Sequence, residues 1–242
     1  MVRKYIIDSL CYWASEYHID GFRFDLMGVL DIETLNEARK ALLKINPDII
    51  MYGEGWTGGE STLPESERGM KINAPRTPGI GMFSDDIRDA VKGHVFYMDE
   101  LGFVNGAADR GEELKQAVTC AKWAKSPMQS INYLSCHDNY TLWDRFIISN
   151  SHESEEMRIR MNKLAAAILF TAQGIPFFLH GEEFARTKIS EADGAPVENS
   201  YCSPLSVNAI DYDRAEQFSD LKAYYKGLIA LRRLTSHFIL TQ

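Results

Sequence analysis

The sequence predicts an α/β fold of parallel strands joined by helical crossovers. Apolar, strand-like runs alternate with amphipathic helical segments, and no two such runs lie close enough for a tight hairpin. Three predicted strand ends also carry acids, Asp25, Glu54 and Asp138, as expected where strand C-termini open onto the functional face of a (β/α) barrel.

Each element follows from its own pattern. Residues 1–18 place Ile6, Ile7, Leu10, Trp13, Ala14 and Tyr17 on one helical stripe and lack the unbroken apolar centre of a signal peptide. HIDGFRFDLMG alternates as a strand at about 18–26, with Arg23 and Asp25 on one face and Phe22 and Phe24 on the other. A helix through IETLNEARKALLKI ends before Asn46 and Pro47, and DIIMYGEGW reads as the next strand. Residues 57–79, rich in Gly, Pro, Ser and Thr, predict a long functional loop. GIGMFS predicts a strand, DDIRDAVKGH and GEELKQAVTCAKWA helices, and SINYLSCHD a further strand. A helix over 153–172 leads to a last strand, PFFLHG, and a closing helix over 216–235. The acidic stretch HESEEM suits the first turn of that long helix, where carboxylates favour the helix dipole.

The formal charge of −8 and the absence of any basic run exclude nucleic acid as the main partner. The most apolar run, residues 164–179, is broken by Gln173, Gly174 and Pro176 and falls short of the ~20 residues a membrane span needs. Cys11, Cys120, Cys136 and Cys202 make no metal-ligand spacing and are read as reduced, mostly packed thiols. Localisation cannot be read from the sequence.

The acids suggest glycoside chemistry. Adjacent parallel strands lie ~4.8 Å apart, so Asp25 and Glu54 at neighbouring strand ends are expected near the roughly 5–5.5 Å separation of a retaining glycosidase. Arg23, one pleat from Asp25, favours its carboxylate form. Glu54, between glycines and before Trp56, is expected in a drier setting suited to an acid. Asp138, after His137, offers a third carboxylate to an oxocarbenium-like transition state. Trp56, Tyr133, Tyr140 and Trp143 are candidates for sugar stacking, with core packing as the plainer reading of each.

GFRFDLMG, YGEGW and YLSCHDN resemble the conserved regions of the α-amylase superfamily, and QGIPFFLHGEEFARTK and ENSYCSPLSVNAIDY are similar to segments of type I pullulanases. The resemblance implies strands four to eight of a TIM (β/α)8 barrel, without strands one to three or the C-terminal β-domain. It implies cleavage of α-1,6 linkages in pullulan or a related α-glucan. The implied roles are Asp25 as nucleophile, Glu54 as acid/base and Asp138 as transition-state stabiliser. Arg23, Trp56, His137, Arg186 and Asn199 are the implied substrate-binding residues. No metal or cofactor is assigned to the chain: calcium is common in the superfamily the motifs resemble, but the parts that often help bind it lie upstream. An incomplete barrel would leave strand edges open, so self-association and an inactive isolated fragment are expected. The alternative is a catalytically silent chain that binds glucan or serves a structural role.

Plainer readings stand beside these. Arg23 with Asp25 alone would be a structural ion pair, and Glu54 alone a loop acid or cap. Ser135, His137 and Asp138 are too crowded for a hydrolase relay. His180, Glu182 and Glu183 lack the HExxH spacing of a zinc site and are assigned a structural place or one near the cleft wall. His18, His94, His152 and His237 are read as surface or packing histidines.

Overall fold

In the computed structural model, which describes residues 1–235, five strands follow one another through a sheet in chain order. They are β1 (Gly21–Phe24), β2 (Ile50–Gly53), β3 (Gly81–Ser84), β4 (Ser130–Asn132) and β5 (Ile175–Pro176). β1 pairs parallel with β2, placing Phe22 opposite Met51 and Phe24 opposite Gly53, and β2 pairs parallel with β3. The α/β class is the one the alternating pattern predicts. The strands are shorter than predicted, because regular strand structure ends at Phe24, Gly53 and Asn132. His237 lies outside the described residues.

The chain divides into two units, Met1–Phe83 with Lys122–Ile131, and Ser84–Ala121 with Asn132–Gln242. In the first unit, α1 (Val2–Glu16) packs on α2 (Ile32–Leu42). Asp31 caps α2, accepting the Thr34 amide at 2.7 Å, and Arg3 from α1 reaches the same carboxylate at 3.0 Å. Ala14, Leu35, Ala38, Leu42, Met51, Ile80 and Met82 form this unit's core. The predicted α1 stripe is only half buried. Ala14, Ile7 and Leu10 face the core, whereas Trp13 and Tyr17 remain exposed and stack with ring centroids 4.5 Å apart.

The second unit is mainly helical: α3 (Asp85–Lys92), α4 (Gly111–Thr119), α5 (Leu142–Ser149), α6 (Glu155–Thr171), α7 (Leu205–Asn208), α8 (Asp213–Gln217) and α9 (Ser219–Leu234). The predicted closing helix is α9, preceded by the separate short α8. Ser154 caps α6, so HESEEM is indeed its opening turn. Every third or fourth α6 position, including Met161, Ala165 and Leu169, enters a core shared with Leu221 and Tyr225 of α9. The sequence reading overlooked α5, although Thr-Leu-Trp-Asp is a helix-start pattern. Thr141 accepts the Asp144 amide at 3.1 Å and buries Leu142, Trp143 and Phe146 behind it. Among the described residues no helix is long and apolar enough to cross a membrane.

Candidate active site

The first unit gathers Arg23, Asp25 and Glu54. β1 ends at Phe24, and two residues later Leu26 takes a left-handed conformation, φ 42°. That reversal aims the Leu26 amide at Glu54, which accepts it at 2.8 Å. The Glu54 amide in turn donates to the Phe24 carbonyl at 3.0 Å, continuing the ladder one step beyond β2. Gly53 makes this approach possible, since a Cβ there would stand 2.5 Å from the Phe24 carbonyl oxygen. Gly28 likewise donates to the Trp56 carbonyl at 3.0 Å, where a Cβ would stand 2.6 Å from that oxygen.

Arg23 ties the two acids together. One nitrogen donates to Asp25 Oδ1 at 2.8 Å and another to Glu54 Oε1 at 2.6 Å. The Glu54 side chain is 6 % exposed and that of Asp25 70 %. One cation therefore compensates a buried carboxylate and orients an accessible one, a combination that charge-assisted bonds make stable. Asp25 lies just past β1, so it reaches Arg23 through the bend at the strand end and not across one pleat. Beside them the Arg23 guanidinium stands 5.9 Å from the Phe83 ring, and the Lys71 amine sits 4.9 Å over half-buried Trp56.

The second unit holds His137, Asp138, Arg186 and Asn199. After β4, residues 133–135 remain buried, and then His137 and Asp138 emerge 55 % and 47 % exposed, with His137 Nε2 3.5 Å from Asp138 Oδ2. Asn139 adopts φ 57°, and its amide donates to Asn199 Oδ1 at 2.9 Å, so the structure brings Asn199 to this segment. Arg186 donates to the His180 and Asn208 carbonyls at 3.0 and 2.7 Å. Tyr133 and Trp143 are core residues: the Tyr133 hydroxyl accepts from Arg88 at 2.7 Å, and Trp143 packs edge-on against Phe218. Tyr140 is half-buried.

Behind residues 135–139 lies a polar network that sequence reasoning missed. Lys188, buried, donates to the His137 carbonyl at 3.4 Å and to Ser200 Oγ at 2.7 Å. Asp144, fully buried, accepts from the Lys188 amide at 2.9 Å and from the Thr187 hydroxyl. Ser135 donates to fully buried Glu182, which also takes the Tyr225 hydroxyl at 3.2 Å. Burial pushes Glu182 up to about 7 and the enclosed Lys92 amine down to about 8. HGEE was visible as a motif, but its inward aim comes from left-handed Gly181 and Ala185 on either side of the Glu182–Phe184 turn.

Cys136, His137 and Asp138 bring a sulfur, a nitrogen and an oxygen within 4.8 Å of one another, the one such grouping among the described residues. Burial pushes the Cys136 thiol up, away from the thiolate a soft metal requires, and the nearby cations Lys92, Arg88 and Lys188 oppose a further positive charge.

Residues 1–220 match the family model described as alpha amylase, catalytic domain. Over 240 residues the chain is 41 % identical to a pullulanase of Bacillus subtilis strain 168, covering 96 % of this chain and 32 % of that protein. It is 32 % identical over 273 residues to the chloroplastic pullulanase 1 of Arabidopsis thaliana, covering 88 % of this chain and 27 % of that one. It superposes on the structure of a pullulanase from Anoxybacillus sp. LM18-11 complexed with maltotriose at TM-score 0.94 and 44 % identity, over 99 % of this chain and 34 % of that one. For a pullulanase from Paenibacillus barengoltzii complexed with maltohexaose and alpha-cyclodextrin the values are 0.92 and 47 %, over 99 % and 37 %. The chain thus spans about a third or less of the length of these relatives, and the superpositions bear out part of a (β/α)8 barrel as its fold.

Proposed function

The chain belongs to the alpha-amylase catalytic-domain family, and from that premise we propose that it carries the acids of a retaining glycosidase that opens α-1,6 branch linkages in pullulan or related α-glucans. The observation that carries the reading is the single guanidinium of Arg23 bonded to exposed Asp25 and buried Glu54. Two carboxylates of unequal accessibility at neighbouring strand ends suit a nucleophile and an acid/base.

In the first displacement an Asp25 oxygen attacks the anomeric carbon while the bond to the leaving oxygen breaks, and Glu54, entering the step in its protonated carboxylic acid form, gives that oxygen its proton. In the second, the Glu54 carboxylate takes a proton from water, the water oxygen attacks the anomeric carbon, and Asp25 departs as a carboxylate. Asp138 is assigned the third carboxylate role, with Arg23, Trp56, His137, Arg186 and Asn199 on the substrate. That the related pullulanases were crystallised with maltooligosaccharides supports α-glucan as the ligand class.

The test is reducing-sugar release from pullulan by the chain and by Asp25→Asn. A fall of about 10⁴-fold or more is expected on losing the nucleophile. Release that persists in Asp25→Asn overturns the assignment, and no release by a folded wild-type chain is the outcome expected of an incomplete barrel that keeps the acids without a working site. We also propose self-association through the open sides of β1 and β5, which end the strand order; a concentration-independent monomer in sedimentation velocity would refute it.

A further inference from the structure

Glu182 is not among the residues assigned to the glycosidase reaction, yet it occupies an expensive position. A wholly buried carboxyl is tolerated only when its oxygens are matched. Those of Glu182 take the hydroxyls of Ser135 and Tyr225, and the Tyr225 oxygen also lies 2.8 Å from the Asn162 side chain of α6. The enclosed Lys92 of α3 and the adjacent Glu183 face it electrostatically. Its turn is pinned at the far end by Arg214 of α8, which donates to the Ala185 carbonyl at 2.6 and 3.0 Å. Ala185 there holds φ 58°, a conformation costly for a residue with a side chain. A strained turn thus holds one acid inward against the hydroxyls of Ser135 and Tyr225.

Ser135 stands two residues before His137 and three before Asp138. We propose that Glu182 is a positioning residue, whose bond to Ser135 fixes residues 135–139 and so sets the direction in which His137 and Asp138 leave the core. The inference rests on the glycosidase reading for the use of Asp138, but the fixing of the segment is measurable without activity. Lys188 on the His137 carbonyl and Asn199 on the Asn139 amide hold its other end, so removing Glu182 frees the segment without dissolving it.

The experiment is amide hydrogen exchange on the whole chain, comparing wild type with Ser135→Ala, Glu182→Met and Glu182→Gln, alongside the NMR chemical shifts of the His137 ring at fixed pH. Ser135→Ala and Glu182→Met remove the bond from either side and should each speed exchange across 135–139 about tenfold relative to α6. Combining them should add little. Glu182→Gln keeps an acceptor for the hydroxyl and should restore protection to within about threefold of wild type. The His137 ring shifts should move in the first two variants and return in the third. Unchanged exchange and ring shifts in Ser135→Ala overturn the proposal, as does equal acceleration of the segment and α6 in every variant. If Glu182→Met does not fold, Ser135→Ala decides alone. Pullulan cleavage surviving Asp25→Asn would sink the glycosidase reading while leaving this exchange result standing.

Discussion

Arg23 shows how much depends on a single side chain. Its guanidinium is the ionic partner of a carboxylate that is almost completely buried, and taking away one member of such a pair leaves an uncompensated charge in the interior. Arg23→Ala should therefore lower stability by about 3 kcal/mol in urea denaturation, and adding Glu54→Gln should restore much of the loss because the stranded charge is gone. If Arg23→Ala were as stable as wild type, Glu54 would have to be held by the Leu26 amide alone. The sequence makes both acids conspicuous through their motifs, but it could not show that they share a cation in so lopsided a way. Leu26, an ordinary apolar residue, adopts a left-handed conformation that no local pattern announces. Asn139 is the easier case, because asparagine tolerates that region.

At the scale of elements, β1 and β2 approach so closely that their junction excludes a methyl group. Gly53→Ala would press its Cβ against the Phe24 carbonyl, a backbone atom that cannot rotate away. It should cost about 2 kcal/mol by the measure of overpacked sites. Gly59→Ala, where nothing lies within 4 Å of the added carbon, should stay within about 0.5 kcal/mol of wild type in the same urea series. Equal stability of the two variants would refute the close-approach account. Strand and helix alternation was legible in the sequence because period-2 and period-3.6 patterns are local. Strand ends were overextended because SINYLSCHD and PFFLHG remain apolar after pairing stops, residues 133–135 being buried and Phe177, Phe178 and Leu179 half-buried as loop. In α1, Trp13 and Tyr17 fit the apolar stripe yet stack on each other in solvent, since a stripe does not report how wide the covering surface is.

The molecule as a whole should show a pH signature from its enclosed charges. Glu182 titrates higher in the folded chain than its ordinary 4.5, so between about pH 4.5 and 7 the folded state binds more protons than the unfolded. Stability from this group is complete below about 4.5 and is lost as the pH rises to 7. Lys92 titrates lower than its ordinary 10.5, so from about pH 8 upward the unfolded state binds more protons and stability rises again. The urea midpoint of wild type should fall from pH 4.5 to 7 relative to that of Glu182→Gln. Parallel curves would show that Glu182 does not titrate there.

The division of the chain also bears on how the protein is made. Residues 122–131 belong with the first 83, and Gln129 supplies an amide to the carbonyls of Ala74 and Thr77 at 2.8 and 3.1 Å. During synthesis the unit that holds residues 1–83 therefore cannot be finished when residue 83 appears. It must wait for some fifty more residues, roughly 2–10 s at ordinary synthesis rates. During that interval the intervening stretch, which belongs to the other unit, hangs as a loop from an unfinished core, and chaperone capture would be most effective then.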